Sequence, residues 1–76
     1  MMKDLVEYIV KSIASHPDEV KVTETDEEGR VLLQLEVSPD DKGKVIGRQG
    51  RVAESIRTLI RVAAVKEGVR ANLEIV

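Results

Sequence analysis

The chain has 76 residues, a formal net charge of −2 and no cysteine. This length allows one small domain, which we place over residues 1–76. The absence of cysteine excludes disulfides and thiolate metal sites and is typical of proteins in a reducing cytoplasm. No apolar run approaches the roughly 20 residues that a membrane-spanning helix needs. We therefore expect a cytoplasmic protein with no membrane partner.

The first half of the chain predicts a helix followed by a hairpin. Apolar residues recur at helical spacing over residues 2–15, and His16-Pro17 ends this pattern because a residue before proline disfavours the α region. An alternation of apolar and polar residues then predicts strands over 20–25 and 30–38, which are joined by an acidic turn at 26–29. The residues expected to face the core are Met2, Leu5, Val6, Ile9 and Ile13 on the helix, and Val31, Leu33, Leu35 and Val37 on the second strand.

The second half predicts two helices and a last strand. Ser38 is a capping residue, Pro39 suits a first helical turn, and acids follow near the positive end of the helix dipole. This short helix ends at Gly47, and a longer one follows from about residue 50 to 66, before an alternating strand over 69–76. The expected inward residues are Val52, Ile56, Leu59, Ile60 and Ala63 on the longer helix, and Ala71, Leu73 and Ile75 on the strand.

The order of elements is therefore α-β-β-α-α-β. It predicts an α+β fold in which a three-stranded mixed sheet is covered by helices on one face.

The segment between the two later helices, Val45-Ile46-Gly47-Arg48-Gln49-Gly50-Arg51, is the candidate functional site. Gly47 can end a helix at positive φ, where a Cβ is penalised. Gly50 leaves the first amides of the next helix uncovered, so that a phosphate can approach them. Lys42, Lys44, Arg48 and Arg51 add cationic donors. Two nearby glycines alone usually mark only a turn, but this context predicts a clamp for a sugar-phosphate backbone.

With an Ile-Gly-x-x-Gly loop between two helices, the chain resembles the KH family of RNA-binding domains over nearly its whole length. The resemblance is to the type II arrangement and to small bacterial proteins that consist of one KH domain. It implies that residues 47–50 clamp about four nucleotides of single-stranded RNA. Val45 and Ile46 would belong to the apolar floor of the cleft, although ordinary core packing is the alternative for both.

The resemblance also assigns roles to the nearby cations. Arg51 would reach phosphates or base edges, while Lys42 and Lys44 would add attraction without reading sequence. The implied role is a post-transcriptional regulator or RNA chaperone. Single-stranded DNA stays possible as a ligand, because no residue identifiably reads a 2′-hydroxyl.

Charge is distributed unevenly along the chain. Residues 42–61 contain six cations and one acid, whereas residues 18–28 contain six acids and one cation. Such asymmetry can give an acidic protein a positive face, and the alternative is simply a solvated surface. We expect the acidic turn at 26–29 to repel phosphate or to lie outside the contact.

Catalytic and metal-binding motifs are not found in the sequence. The glycine spacing does not fit a phosphate-binding P-loop or a dinucleotide fingerprint. His16 is the only histidine, and its place beside a proline suits a turn better than a catalytic base. We therefore expect no enzymatic activity, no cofactor and no metal.

A second set of residues suggests an assembly surface. Thr58, Val62 and Val65 lie outside the predicted core stripe of the longer helix and form a partly apolar strip. Scattered surface valines are the ordinary alternative. Family resemblance implies self-association and pairing with a larger KH-containing protein. The alternative function is thus a protein-interaction subunit that binds little RNA by itself.

Overall fold

The computed structural model describes residues 2–76, which form three helices and three strands. In chain order these are α1 (Met2–Ile13), β1 (Lys21–Glu27), β2 (Arg30–Glu36), α2 (Pro39–Ile46), α3 (Arg51–Glu67) and β3 (Arg70–Ile75). Short 3₁₀ turns lie at Pro17–Glu19 and Arg48–Gly50. The predicted order α-β-β-α-α-β is confirmed.

The sheet has the strand order β1-β2-β3 and is mixed. β1 pairs with β2 in antiparallel register, and β2 pairs with β3 in parallel register. Parallel neighbours need a crossover connection, which α2 and α3 provide here. On β2 the residues Val31, Leu33 and Leu35 are buried while Leu32 is exposed, so the helices cover one face of the sheet as predicted.

The hairpin between β1 and β2 is tighter than predicted. Asp26 and Glu27 continue β1 and pair with Val31 and Arg30, so placing them in the turn was wrong. The loop consists of Glu28 and Gly29, with φ of 51° and 81°. Two consecutive left-handed residues match the twist of paired strands, which lets the strands run up to a two-residue loop.

The core stripe of α3 differs from the predicted one. Ile56 and Ile60 are buried as expected, together with the small residues Ala53 and Ala64. Leu59 is 50% exposed, so its assignment to the core was wrong. The two alanines permit close approach of the helix to the sheet, which turns Leu59 towards solvent and leaves Val52 and Ala63 half-buried at the edge.

The stripe of α1 is also shifted. Met2, Val6 and Val10 are its buried residues, whereas Ile13 is exposed and the helix ends there rather than at residue 15. Leu5 and Ile9 are half-buried on the flank. On β3, Leu73 is buried while Ala71 and Ile75 are half-buried, because β3 forms an edge of the sheet.

Candidate nucleic-acid interface

Gly47 forms a sharp corner between α2 and the loop that follows. Its N–H donates to the carbonyl of Gly43 at 2.8 Å, which closes the last turn of α2. Its φ of 78° and ψ of 173° lie in a region that almost only glycine adopts. A Cβ built here would lie 2.8 Å from the Val52 Cβ and 2.9 Å from the Val52 nitrogen. The corner therefore requires glycine both for its backbone conformation and for its packing on α3.

The rest of the loop folds tightly before α3 begins, since the N–H of Gly50 donates to the Gly47 carbonyl at 3.2 Å and the N–H of Arg51 donates to the Arg48 carbonyl. Gly50 has a φ of 73°, and a Cβ added to it would meet no atom within 4 Å. Gln49 is left-handed too, with a φ of 57°, a feature that nothing in the sequence indicated. Arg48 and Gln49 are exposed, and Arg51 Nη2 donates to Gln49 Oε1 at 3.3 Å. Polar side chains thus surround an open space beside Gly50, but the prediction that the first amides are uncovered is wrong for Gly50 and Arg51.

A groove of about 640 Å³ begins at this loop and runs between α3 and the outer part of the sheet. We call it the loop groove. Its lining residues are Leu32, Ile46, Gly50, Ala53, Arg57, Asn72, Leu73, Glu74 and Ile75. Ile46 and Leu32 are 37% and 36% exposed, so they give the groove an apolar floor. The loop and an apolar surface are therefore contiguous.

Most residues that line the loop groove were not predicted from the sequence. Only Ile46 and Gly50 of its lining belong to the predicted site residues. Leu32 carried a signal, because it is a large apolar residue on the outward positions of its strand. Arg57 and Asn72 carried no such signal, since their position in the groove depends on β3 lying parallel beside β2.

The other predicted site residues lie around the loop groove rather than in it. Val45 is completely buried in the core, beneath the half-exposed Ile46. Lys42 is exposed and does not line the groove. Lys44 Nζ donates to Ser15 Oγ and lies 3.9 Å from Asp41 Oδ1, so its side chain faces the end of α1.

A buried carboxylate, which the sequence did not single out, fixes α2 to the end of α1. Asp41 is fully buried, and its two oxygens accept hydrogen bonds from the backbone N–H of Ser15 at 2.8 Å and of His16 at 2.9 Å. The hydrogen bond from Ser15 is the main cause that lowers the pKa of Asp41, and burial opposes it. Both Asp40 and Asp41 suit the first turn of a helix, so the sequence pattern does not indicate which of the two is buried.

We expect Asp41→Asn to lower the melting temperature by about 10 °C, because one carboxylate oxygen is replaced by an NH₂ group facing a backbone N–H. Asp40→Asn is the matched control, since the Asp40 side chain is 81% exposed. Folding lowers the pKa of Asp41 below its ordinary value of 3.8. Its stabilisation is therefore complete above that value and lost as the pH falls through the lower folded pKa. Thermal unfolding should show a smaller difference in melting temperature between the wild type and Asp41→Asn at pH 3 than at pH 7. Equal melting temperatures of Asp41→Asn and Asp40→Asn at pH 7 would contradict this role.

The predicted assembly strip is exposed and larger than expected. Val62 is 57% and Val65 77% exposed, and Thr58 is exposed as well. Leu59, which leaves the core, adds a further apolar side chain on the same helix. The surface available for a protein contact therefore contains three branched apolar residues.

Within residues 2–76 no helix is long and apolar enough to cross a membrane. In the same part of the chain no three acidic, histidine or cysteine side chains are grouped so that they could hold a metal ion.

The element order, the mixed sheet and the Gly-x-x-Gly corner together define a type II KH domain. Residues 3–75 match the family model described as KhpA/KhpB, KH domain, and the chain belongs to this family. It is 53% identical to the RNA-binding protein KhpA of Clostridium acetobutylicum, covering 99% of this chain and 100% of the relative. It is 49% identical to the RNA-binding protein KhpA of Clostridium perfringens, with the same coverage of both.

A solved structure shares the fold at low sequence identity. The crystal structure of Era in complex with MgGDPNP and nucleotides 1506–1542 of 16S ribosomal RNA superposes with a TM-score of 0.63 at 15% identity. The match covers 97% of this chain and 28% of that one. At this identity the likeness concerns the fold alone.

Proposed function

We propose that this chain is a non-catalytic protein that binds single-stranded RNA through the loop at residues 47–50. The observation that carries the proposal is the continuity of the loop, with its exposed Arg48 and Gln49 side chains, with the loop groove. A single strand presents phosphates, which need a polar surface, and bases, which need an apolar one, so the two surfaces must lie side by side. The names of the KhpA relatives support the same ligand.

Each surface has a distinct task in this proposal. The side chains of Arg48 and Gln49, with the backbone at the start of α3, hold phosphates over about four nucleotides. The N–H groups of Gly50 and Arg51 do not take part, because they donate to the carbonyls of Gly47 and Arg48. Ile46 and Leu32 contact the bases, and Val45 supports Ile46 from the core. Tyr8 is the only aromatic residue of the chain, so apolar contact takes the place of aromatic stacking.

The proposal extends to electrostatics and biological role. Lys42 attracts the strand without reading its sequence, and Lys44 contributes less because its ammonium group faces Ser15 and Asp41. Single-stranded DNA fits the same groove, because the proposed contacts are to phosphates and base faces. The corresponding role is that of a cytoplasmic post-transcriptional regulator or RNA chaperone.

The test is fluorescence anisotropy of labelled random-sequence single-stranded RNA, titrated with the protein at 50 and 200 mM salt. Four phosphate contacts predict that this change of salt weakens binding by roughly 50-fold. A DNA strand of matched length measures the preference for RNA. Absence of binding at 50 mM salt would reject the proposal, and salt-independent binding would reject the phosphate clamp.

The exposed strip on α3 supports a second proposal, a contact with another copy of the chain or with a larger KH-containing protein. Leu59, Val62 and Val65 together expose apolar surface on one helix. A core of this size gains stability from a partner, and two linked binding sites gain avidity. In this form the protein would act as an interaction subunit.

We expect Val62→Glu with Val65→Glu to convert a dimer into a monomer, because two carboxylates would be buried without partners. Light scattering coupled to gel filtration measures the molar mass. Thr23→Glu with Thr25→Glu on the exposed face of β1 is the matched control. An unchanged molar mass in the α3 variant would exclude this surface, and a monomeric wild type at every concentration would exclude the homodimer.

A further inference from the structure

A second cavity, of about 470 Å³, lies between the last turns of α3 and the start of β3. Three arginines, Arg30, Arg61 and Arg70, stand around an apolar floor of Ala64, Val65, Val69 and Ala71, of which Val65 also belongs to the exposed strip on α3. We call it the arginine pocket. It lies at the opposite end of α3 from the Gly47–Gly50 loop, and the four-nucleotide clamp does not account for it.

Two of the three arginines of the pocket, Arg61 and Arg70, have no acidic partner among residues 2–76, whereas Arg30 lies opposite Glu27 in the register of β1 and β2. Arg30 and Arg70 are direct partners in the parallel register of β2 and β3, an arrangement of like charges that destabilises a sheet. Among residues 2–76, Arg61 and Arg70 form no ion pair, whereas Arg57 lies 3.9 Å from Glu54. No acidic residue lines the pocket, although Arg30 also borders a neighbouring cavity with Glu27 and Glu28. Convergent, unpaired guanidinium groups are suited to bind an anion.

The arginine pocket is continuous with the loop groove. A third cavity of about 290 Å³ shares Arg57 with the loop groove and Arg61 with the arginine pocket, and Glu54, which lies beside Arg57, lines it as well. One path thus follows the cleft between α3 and β3 from Gly50 to Arg61. That distance is about 16 Å at the rise of an α-helix. It corresponds to about five nucleotides at the spacing of a stacked strand.

We propose that the arginine pocket binds phosphates of the same single-stranded RNA beyond the part held by the loop. The inference rests on the function proposed above and deepens it, because it makes the footprint longer than four nucleotides. Guanidinium groups bind phosphate in a bidentate manner, and the apolar floor accepts a sugar or base face. Continuity with the loop groove favours a nucleic-acid strand over the acidic surface of a protein.

The test compares random-sequence RNAs of four and twelve nucleotides with wild type and Arg61→Gln/Arg70→Gln. Both arginines are exposed, so the variant should fold, and Arg30 is left in place because of its acidic neighbours. Lys11→Gln/Lys21→Gln removes the same charge from α1 and β1 and serves as the control. Affinities come from anisotropy for the longer RNA and from NMR titration for the shorter one, with melting and molar mass measured alongside.

We expect the arginine variant to bind the twelve-nucleotide RNA about tenfold more weakly and to reduce the salt slope by about 1.4, the value for two phosphates on a single strand. Its affinity for the four-nucleotide RNA, which is too short to reach from Gly50 to Arg61, should match that of the control. Equal affinities of the arginine and control variants for the longer RNA would overturn the inference and favour a protein-facing role for the pocket. Equal losses on both RNAs would also overturn it, by placing the arginines within the short clamp. If wild type binds neither RNA, the proposed function itself fails.

Discussion

Replacing Gly47 by alanine is expected to lower the free energy of unfolding by about 3 kcal/mol, and the melting temperature by about 15 °C. Two costs add at this position. The backbone region at φ 78° and ψ 173° excludes side chains, and the new Cβ would overlap the first turn of α3 at Val52. In a domain of this size that loss is a large fraction of the total stability.

Gly50→Ala is the matched comparison for this prediction. Gly50 also has positive φ, but a Cβ there meets open space. The expected loss is therefore the left-handed backbone cost alone, about 1 kcal/mol. Urea unfolding of both variants, followed by circular dichroism, measures the difference. Equal destabilisation of the two variants would show that the packing of Gly47 on Val52 contributes nothing.

The order of elements could be predicted because local signals mark their ends. Ser38 accepts a hydrogen bond from the Asp40 N–H at 3.3 Å, as a capping serine should. Gly47 and Gly68 end their helices at positive φ, and Gly29 supplies a left-handed residue to the hairpin. These are chain-local requirements, so they can be recognised in the sequence without knowledge of the tertiary contacts.

The rotation of the helices about their axes could not be predicted in the same way. Both Leu59 and Ala53 fit a helical stripe through Ile56, and hydrophobicity alone favours the leucine. The structure buries the alanine, because a small residue brings α3 close to the sheet. Tertiary packing decides which of the two residues is buried, and the periodicity of a single helix carries no information about tertiary packing.

The candidate site likewise has one part that could be predicted from the sequence and one part that could not. The loop is continuous in sequence, and its glycines and cations indicated it directly. The loop groove combines Ile46, Leu32 and Asn72 from three separate elements, and it exists only once β3 lies parallel beside β2. Asp41 was missed for a related reason, since its partners at residues 15 and 16 are brought to it by the fold.

The second large effect is expected from Arg48→Asp combined with Gln49→Asp, which should weaken RNA binding by about 100-fold at low salt. The double change removes a cation and adds two anions beside the proposed phosphate positions. Both side chains are exposed, so helicity and melting should stay close to the wild type. Lys21→Asp with Thr23→Asp changes the charge equally on β1, the edge strand opposite β3, and is the control.

The most direct measurement is the anisotropy of labelled random-sequence RNA titrated with wild type, the loop variant and the β1 control at 50 and 200 mM salt. Salt-sensitive binding that the folded loop variant loses and the control keeps is the predicted result. Equal binding by wild type and the folded loop variant would contradict the account, because the RNA would then be held at a surface other than the Gly47–Gly50 loop.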